Sequence, residues 1–514
     1  MVSVIGNRQS TDSGLYPPRV VDANTTAVGR VMICPEGTVV TVSKSAVTDC
    51  GPTRAATEAP DLLRWLGFGG AMLLTAGAWA VSVRAGAFAL GVAVAGAGLV
   101  VLAWGLLGRI RADAPWLRRT LAWWSGPLLV APPLFSADVF SYLAQGEVAA
   151  RGLDPNVVSP VAGASAEAVA RVGVCWPGTP SPYGPLFSMV ERAITQITGG
   201  DPVAGIALYR LAAALGLLLV VWAVPRLAQM AGVHERAALW LGVLNPLVLW
   251  HLIGGIHNDA LMLGFMLSGT VIALRALTDL RWWPFTAGVV FIDLGAQVKL
   301  PALVALAVVG TALAQRLGGG WVRFMLASLG SVVSAVVVSV VTSMTGGFGF
   351  GWVKVLDTQS KINSWIAPTN WPGYLAGVVF GPESGQAVMS SARIAGLVLV
   401  LCGIVVLVHH QLRGRISAVT TLGIMMSLIV LLAPAIQPWY LLWAVLPLAA
   451  SLPLGRWRTG VAVLVGVFAL LVPPLAGNFD GRVTGLVMAY LLGIAVVGGA
   501  YLVMRRMRVS VAQG

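Results

Sequence analysis

Charge is what this sequence has least of. Asp, Glu, Lys and Arg make up only 10% of its 514 residues, whereas 57% are hydrophobic and the mean hydropathy is +0.84. A soluble domain carries about 25% charged residues, so this chain could not cover a water-facing surface. Lipid must solvate most of it, and lipid admits only helices or closed barrels because every backbone polar group has to be satisfied internally. The apolar runs are long and unbroken, as in GLLLVVWAVP at 216–225, whereas barrel strands alternate. We therefore predict an all-α polytopic membrane protein.

Cysteine pairs and nucleotide-binding motifs are also missing. The four cysteines, Cys34, Cys50, Cys175 and Cys402, form no CxxC motif, which argues against a metal or redox centre. The sequence has no Walker A motif, no GxGxxG after a strand and no soluble DxD-bearing domain, so we expect neither ATP-driven transport nor a nucleotide-sugar donor. The first 55 residues lack the apolar core of a signal peptide and show no periodicity. We expect this tail to be largely disordered.

The charge that is present is basic, with a net value of +13, and its placement predicts a topology. Arginine pairs lie at the ends of apolar runs, for example Arg109 with Arg111 and Arg456 with Arg458, which is typical of cytoplasmic loops rather than of nucleic-acid binding. Runs of about 20 apolar residues predict membrane spans. The fourteen predicted spans cover residues 62–83, 86–108, 116–134, 204–225, 237–254, 259–277, 283–297, 300–316, 321–342, 392–410, 416–434, 438–452, 459–475 and 483–503.

A cytoplasmic N-terminus followed by these spans places the arginine pairs and the C-terminus inside. The predicted organisation is a cytoplasmic tail over residues 1–60, a membrane domain over 61–505 and a second tail over 506–514. Two long loops, 135–203 and 343–391, then lie outside, and loops of this length usually carry function. Stretches 139–151 and 186–198 are expected to be interfacial helices.

Asp138 follows the third predicted span by only a few residues. A carboxylate at a membrane interface is costly unless it is solvated or used, which makes Asp138 a candidate general base on the outer side. The alternative is an ordinary helix N-cap, because Ser136 and Asp138 both suit the start of a helix over VFSYLAQGEVAA.

A second polar cluster lies in LNPLVLWHLIGGIHNDALM, residues 244–262. A tight turn there would bring together His257, Asn258 and Asp259 near His251, as a functional group or simply as a capped helical hairpin. A divalent cation at His257 and Asp259 is conceivable, but two ligands are too few to claim a site. Lys299, in QVKLP, could hold a phosphate as a point charge or snorkel to the surface.

The second long loop combines cations with aromatic residues. Lys354, Lys361 and Arg393 run against the positive-inside trend and indicate an anionic partner, with a solvated loop as the alternative. The stretches SPYGP at 181–185 and QPWYLLW at 437–443 are typical of interfacial anchors, and stacking on sugar faces is the alternative.

Taken in order, these motifs resemble one known family. FSADVFSYLAQG with the downstream DPN, SPYGP, LNPLVLWHLIGGIHND, VK at 298–299, INSW…PT at 362–369 and QPWY at 437–440 resemble the actinobacterial α-(1→6)-mannopyranosyltransferases over about residues 60–505. Those enzymes use polyprenyl-phosphate mannose to build the lipomannan and lipoarabinomannan backbone. The sequence departs from the family pattern at Ala137, Phe140, Asn156 and Asp259, where Arg, Tyr, Tyr and Glu are familiar.

The resemblance implies a GT-C glycosyltransferase fold in the plasma membrane, with the site open to the outer face and Asp138 as the catalytic base. We expect a polyprenyl-phosphate mannose donor, a lipid-anchored mannan acceptor and no cofactor or metal. The donor phosphate is expected near Lys299, Lys361 and Arg393. The expected substrate-binding residues are Tyr142, Gln145, Tyr183, His257, Asn258, Asp259, Asn363, Trp365, Trp439 and Tyr440.

Two other functions fit a chain of this kind. A secondary transporter or lipid flippase would also have many spans and Gly-rich helices, but its ionisable residues would lie near mid-membrane. Here the acidic residues gather at the predicted outer ends, apart from Asp293. A GT-C enzyme using another polyprenyl-phosphate sugar, such as arabinose, is the second alternative.

Overall fold

The computed structural model of the protein describes residues 31–33, 39–41, 54–83, 86–173, 176–354, 363–475 and 483–506. Cys34, Cys50, Cys175 and Lys361 lie outside these residues. The chain divides into two compact units, Met1–Ala59 and Pro60–Gly514. In the first unit, strands β1 (Val31–Ile33) and β2 (Val39–Thr41) pair antiparallel. Within the tail, the structure therefore describes a short antiparallel strand pair and, over residues 54–59, the start of a helix. Neither element was predicted.

The rest of the described structure is helical. Its α-helices are α1 (Arg54–Ser82), α2 (Gly86–Leu107), α3 (Ala114–Leu129), α4 (Asp138–Ala150), α5 (Pro160–Gly163), α6 (Ala166–Arg171), α7 (Pro185–Thr198), α8 (Pro202–Met230), α9 (Glu235–Ala238), α10 (Asp259–Thr278), α11 (Trp282–Ala296), α12 (Val304–Arg316), α13 (Trp321–Gly346), α14 (Trp371–Phe380), α15 (Pro382–Leu412), α16 (Ala418–Leu432), α17 (Leu441–Ser451), α18 (Arg456–Leu471) and α19 (Val483–Arg506). Two π-helical segments, Leu239–Val243 and Val248–Gly254, and three 3-10 turns, Leu300–Leu303, Pro368–Asn370 and Pro438–Tyr440, complete the set.

Every one of the fourteen predicted spans contains a helix. Among the described residues, seven helices are long and apolar enough to cross a membrane: α1, α2, α8, α10, α13, α15 and α19. An eighth span results if the bent segment Glu235–Val243 with Val248–Gly254 is counted as one. The remaining predicted spans are shorter helices, such as Ala418–Leu432. The predicted all-α polytopic membrane architecture is confirmed.

Burial separates central from peripheral helices. The most apolar windows of α2 and α10 are 72% buried, so these helices lie in the protein interior. The corresponding windows of α13 and α19 are only 11% buried. Their apolar side chains point outward and are suited to contact lipid tails. This exposure has no hydrophobic cost, because lipid tails are as apolar as the side chains.

The bend between the two π-helical segments changes the helix direction by 60°. Pro246 at the break has no N–H to donate, and the Asn245 side chain satisfies the groups that the break frees. Its amide nitrogen donates to the carbonyls of Leu241 (3.0 Å) and Gly242 (3.1 Å), and its oxygen accepts from the N–H of Val248 (3.1 Å). The bend delivers the chain to the turn that carries His257.

Helices α4 and α7 match the two predicted interfacial stretches in position and pack against each other. Gly184 precedes α7, and a Cβ at this position would lie 2.4 Å from the carbonyl oxygen of Gln297. Only glycine allows so close an approach. The first turn of α7 therefore rests directly on the segment between α11 and α12 that carries Lys299.

Candidate active site

Asp138 is the first residue of α4, and the residue in the N-cap position is Ala137. Ser136 accepts a hydrogen bond from the N–H of Asp138 at 3.1 Å, whereas the N-cap residue itself makes no side-chain cap bond. The alternative that Asp138 is an N-cap is therefore wrong, although Ser136 does bond to the first N–H of the helix. Its carboxylate turns instead towards His257, with 3.3 Å between Oδ2 of Asp138 and Nδ1 of His257.

Two backbone features bring Asp138 and His257 together. The N–H of Leu134 donates to the carbonyl of Gly254 at 3.0 Å, which ties the segment before α4 to the segment before His257. Phe135 adopts a left-handed conformation with φ 62°, which is uncommon for a residue with a side chain. This turn stacks its ring on Trp250 with 5.4 Å between centroids. The contact could not be read from the sequence, because it joins residues more than a hundred positions apart.

The electrostatic surroundings keep Asp138 ionised. Burial on its own would raise the pKa of the Asp138 carboxyl. The contact with His257, the charge of His257 and the charge of Lys299 outweigh burial, so that the pKa lies below its usual value. The side chain is 23% exposed. Asp138 is thus a carboxylate that is ionised at neutral pH and accessible from the adjoining cavity.

Lys299 and Asp259 form a second polar pair beside the first. The Lys299 ammonium lies 2.9 Å from Oδ2 of Asp259, whose Oδ1 accepts a hydrogen bond from the Trp443 indole at 2.6 Å. The ammonium also lies 4.6 Å from the ring centroid of Tyr440. The side chain of Asp259 is fully buried, and neither Asn258 nor Asp259 makes the side-chain cap bond that the hairpin alternative required. Asp259 therefore serves to hold Lys299.

Asp138 and Lys299 open into the same cavity, which has a volume of about 210 Å³. Aromatic and proline side chains form much of its wall. Its lining residues are Asp138, Ser141, Gln145, Trp176, Thr179, Pro180, Pro182, Tyr183, Lys299, Ala435, Gln437, Trp439 and Tyr440. A carboxylate, an ammonium and aromatic faces together can bind a sugar phosphate and accept a proton.

Several polar atoms at the cavity have no partner within the described part of the chain. They are the Ser141 hydroxyl, the Gln145 side-chain oxygen and the Trp439 indole nitrogen. Buried polar groups are normally hydrogen-bonded, so these atoms are suited to pair with hydroxyl groups of a ligand. Ser141 was not predicted, although it lies three positions after Asp138 and Gln145 seven, which places all three on one helical face.

The structure brings only some of the predicted residues to this cavity. Asp138, Gln145, Tyr183, Lys299, Trp439 and Tyr440 line it. Tyr142, His257, Asn258 and Asp259 are buried behind these lining residues. Three cavity residues of the first long loop, Trp176, Thr179 and Pro180, were not predicted, whereas Pro182 belongs to the SPYGP stretch.

Of the residues predicted in and after the second long loop, Asn363 and Arg393 contact each other, and Arg393 lies on α15. The guanidinium of Arg393 donates to the Asn363 side-chain oxygen at 2.9 Å and to that of Asn370 at 2.8 Å. Trp365 is 63% exposed, and its carbonyl accepts from the Trp371 indole at 2.9 Å. Arg393, Asn363 and Trp365 do not line the cavity. In this structure they fix the loop, and their contact with substrate stays a prediction.

The described residues contain no group of three or more His, Cys, Asp or Glu side chains that could hold a metal ion. His257 and Asp259, the pair considered above, have separate partners in Asp138 and Lys299. The geometry assigns both residues to the two ion pairs.

Comparison with known proteins extends over most of the chain. Residues 64–315 match the family described as alpha-(1->6)-mannopyranosyltransferase, N-terminal domain, and residues 371–503 match the MptB C-terminal domain. A probable alpha-(1->6)-mannopyranosyltransferase of Mycolicibacterium smegmatis is 39% identical over 78% of both chains. The alpha-(1->6)-mannopyranosyltransferase of Mycobacterium tuberculosis is 37% identical over 73% of both chains. Alpha-(1->6)-mannopyranosyltransferase B of Corynebacterium glutamicum is 33% identical over 74% of this chain and 68% of its own. No solved structure matches.

Proposed function

Because the chain belongs to the α-(1→6)-mannopyranosyltransferase family, we propose that it transfers mannose from polyprenyl-phosphate mannose to a lipid-anchored mannan. The product is an α-(1→6) linkage formed with inversion, in synthesis of the lipomannan and lipoarabinomannan backbone. The observation that carries the proposal is that Asp138 and Lys299 line one cavity. One residue can take a proton and the other can bind a phosphate.

In the proposed reaction, the 6-hydroxyl oxygen of the acceptor attacks C1 of the donor mannose from the face opposite the phosphate. Asp138 takes the hydroxyl proton as the new C1–O bond forms. The C1–O bond to the phosphate breaks, and its electron pair leaves with the phosphate. Attack from the opposite face converts the β-linked donor into an α-linked product. General-base help of this kind contributes about 10²–10⁴ in rate.

Lys299 is suited to stabilise the leaving phosphate. An ammonium has three donors, and Asp259 occupies one of them at 2.9 Å. The others can bind phosphate oxygens as negative charge develops on them, which is the kind of electrostatic stabilisation that lowers a barrier most. A single phosphate leaving group needs no metal ion when a fixed cation balances its charge.

An apolar groove supports a lipid-linked donor. It has a volume of about 610 Å³ and lies between α12 and α13, with Leu300, Leu303, Val332 and Val336 in its wall. Gln297 also lines the groove, only two residues before Lys299 in the cavity wall. An isoprenoid chain in the groove would therefore emerge near the phosphate-binding ammonium. A soluble nucleotide sugar has no apolar chain that could bind in such a groove.

The proposed location is the plasma membrane, with both termini in the cytoplasm and the cavity on the outer side. The arginine pairs at the ends of the helices support this orientation through the positive-inside rule. A site on the outer side suits a donor that is delivered within the membrane rather than from the cytoplasmic nucleotide pool.

The direct test uses membranes that contain the protein, labelled polyprenyl-phosphate mannose and a short α-(1→6)-linked mannose acceptor. We expect a labelled product extended by one residue and cleavable by an α-(1→6)-specific mannosidase. Membranes without the protein serve as the control. No product, while a known mannosyltransferase is active in the same membranes, would overturn the proposal. Transfer only from labelled polyprenyl-phosphate arabinose would show that the donor sugar is arabinose rather than mannose.

A further inference from the structure

The His257 side chain is fully buried, and its ring is held between Asp138 and Trp439. Its Nδ1 lies 3.3 Å from Oδ2 of Asp138. Its ring stacks on Trp439, with 3.8 Å between centroids and 25° between planes. Neither ring nitrogen makes a hydrogen bond to a described residue. The carboxylate of Asp138 is the charged group that lies beside Nδ1.

The same contact selects one oxygen of the Asp138 carboxylate. Asp138 is partly exposed and lines the cavity, whereas His257 lies wholly behind it. Because Nδ1 of His257 lies beside Oδ2, the other carboxylate oxygen is the one that is left to meet the substrate. A carboxylate that is free to rotate would spend part of its time with neither oxygen in line.

We propose that His257 is a positioning residue that orients the Asp138 carboxylate for proton abstraction, an inference that rests on the proposed function. In the substrate complex, Nδ1–H of His257 donates to Oδ2 and so tightens the 3.3 Å approach of this structure. The acceptor O–H bond breaks, and its proton passes to Oδ1 of Asp138. His257 keeps its own proton and contacts neither sugar.

The effect of His257 on Asp138 can be distinguished from the effects of the other groups around this carboxylate. Lys299 is the second cation whose charge acts on the carboxylate, Ser136 accepts from its backbone N–H, and Tyr183 approaches as a neutral phenol. His251 lies beside His257, with 5.7 Å between ring centroids, and Asp259 is engaged by Lys299. Both His257 and Lys299 lower the pKa of Asp138. Removing His257 should therefore raise the pKa of Asp138 part of the way back.

The experiment compares four single variants in the transfer assay. His257→Phe keeps an aromatic ring against Trp439 but has no N–H for Asp138. His257→Asn puts an amide donor near the position of Nδ1, and His257→Gln puts one near that of Nε2. His251→Phe is the matched control, because His251 is also a buried aromatic neighbour of Trp439, whereas His257 is the histidine that acts on Asp138.

We expect His257→Phe to lower kcat about 10- to 100-fold, with the acceptor KM changed less than about twofold, a smaller loss than removing the base. The acid limb of the kcat profile should move to higher pH, because the carboxylate loses a group that favours its ionised form. His257→Asn should recover most of kcat, and His257→Gln should not. His251→Phe should behave as wild type.

Equal kcat and pH profiles for His257→Phe and His251→Phe would overturn the inference. Equal losses for His257→Asn and His257→Gln would also overturn it, because packing alone would then explain them. The Asn and Gln pair decides the question even when His257→Phe fails to fold. Absence of transfer by the wild-type protein contradicts the proposed function itself, which is a distinguishable result.

Discussion

Lys299 and Asp259 form an ion pair of 2.9 Å in the protein interior, where Asp259 is fully buried and the lysine side chain is 9% exposed. Forty positions separate them in the chain, and each comes from a different helix end. Burying two charges is favourable only when they are paired and further hydrogen-bonded. The Trp443 indole supplies the additional bond to Asp259. The pair holds the Lys299 ammonium in the cavity wall and leaves N–H donors available for a ligand.

Breaking this pair should affect stability and activity differently. Lys299→Met and Asp259→Asn should each destabilise the protein, since loss of one partner from a buried pair costs about 3–5 kcal/mol. The double variant should be more stable than the sum of the two losses predicts, yet it should remain inactive because the phosphate has lost its cation. Thermal unfolding in detergent and the transfer assay measure both effects. Strict additivity in stability would contradict the coupling.

Replacing Asp138 tests the base assignment. Asp138→Asn should lower kcat by about 10²–10⁴, because an amide cannot take the proton, while protein yield stays at the wild-type level. Asp201→Asn is the matched control. Asp201 caps α8 through the N–H of Ala204 at 2.7 Å, a role that asparagine fills equally well. Near-normal transfer by Asp138→Asn would contradict the assignment of Asp138 as the base.

The helices could be predicted from the sequence, whereas the residues that contact Asp138 could not. Helices are set by local apolar runs, so each predicted span contains one. The contact between Trp443 and Asp259 spans 184 positions and depends on how helices pack, which a single sequence does not encode in readable form. The prediction that Arg393 binds the donor phosphate rests on its charge alone. The sequence does not show that its guanidinium contacts Asn363 and Asn370.

Gly184 offers a test of how the cavity is assembled. Gly184→Ala places a methyl group 2.4 Å from the Gln297 carbonyl oxygen, and overpacking of this kind costs about 1–3 kcal/mol. We expect α7 to shift from the segment that carries Lys299 and kcat to fall at least tenfold. Gly178→Ala lies in the same loop with nothing within 4 Å of the new Cβ and is the control. Equal kcat values for the two variants would show that this close approach does not position Lys299.

Glu191, on α7, predicts a pH dependence of stability. Burial raises its pKa well above the usual value, and neither carboxyl oxygen has a hydrogen-bond partner in the described part of the chain. The folded state therefore holds a proton that the unfolded state releases above about pH 4.3. The proton-linked stability is complete below that pH and decreases as the pH rises towards the folded pKa.

Glu191→Gln should match wild type in acid, because the amide does not titrate. Above about pH 4.3 the wild type should lose about 1.4 kcal/mol relative to Glu191→Gln for each pH unit, until the folded pKa is reached. Thermal unfolding across pH 5–8 measures the difference, with Glu167→Gln as control because the Glu167 side chain is 76% exposed. Parallel curves for wild type and Glu191→Gln would contradict a protonated Glu191 in the folded protein.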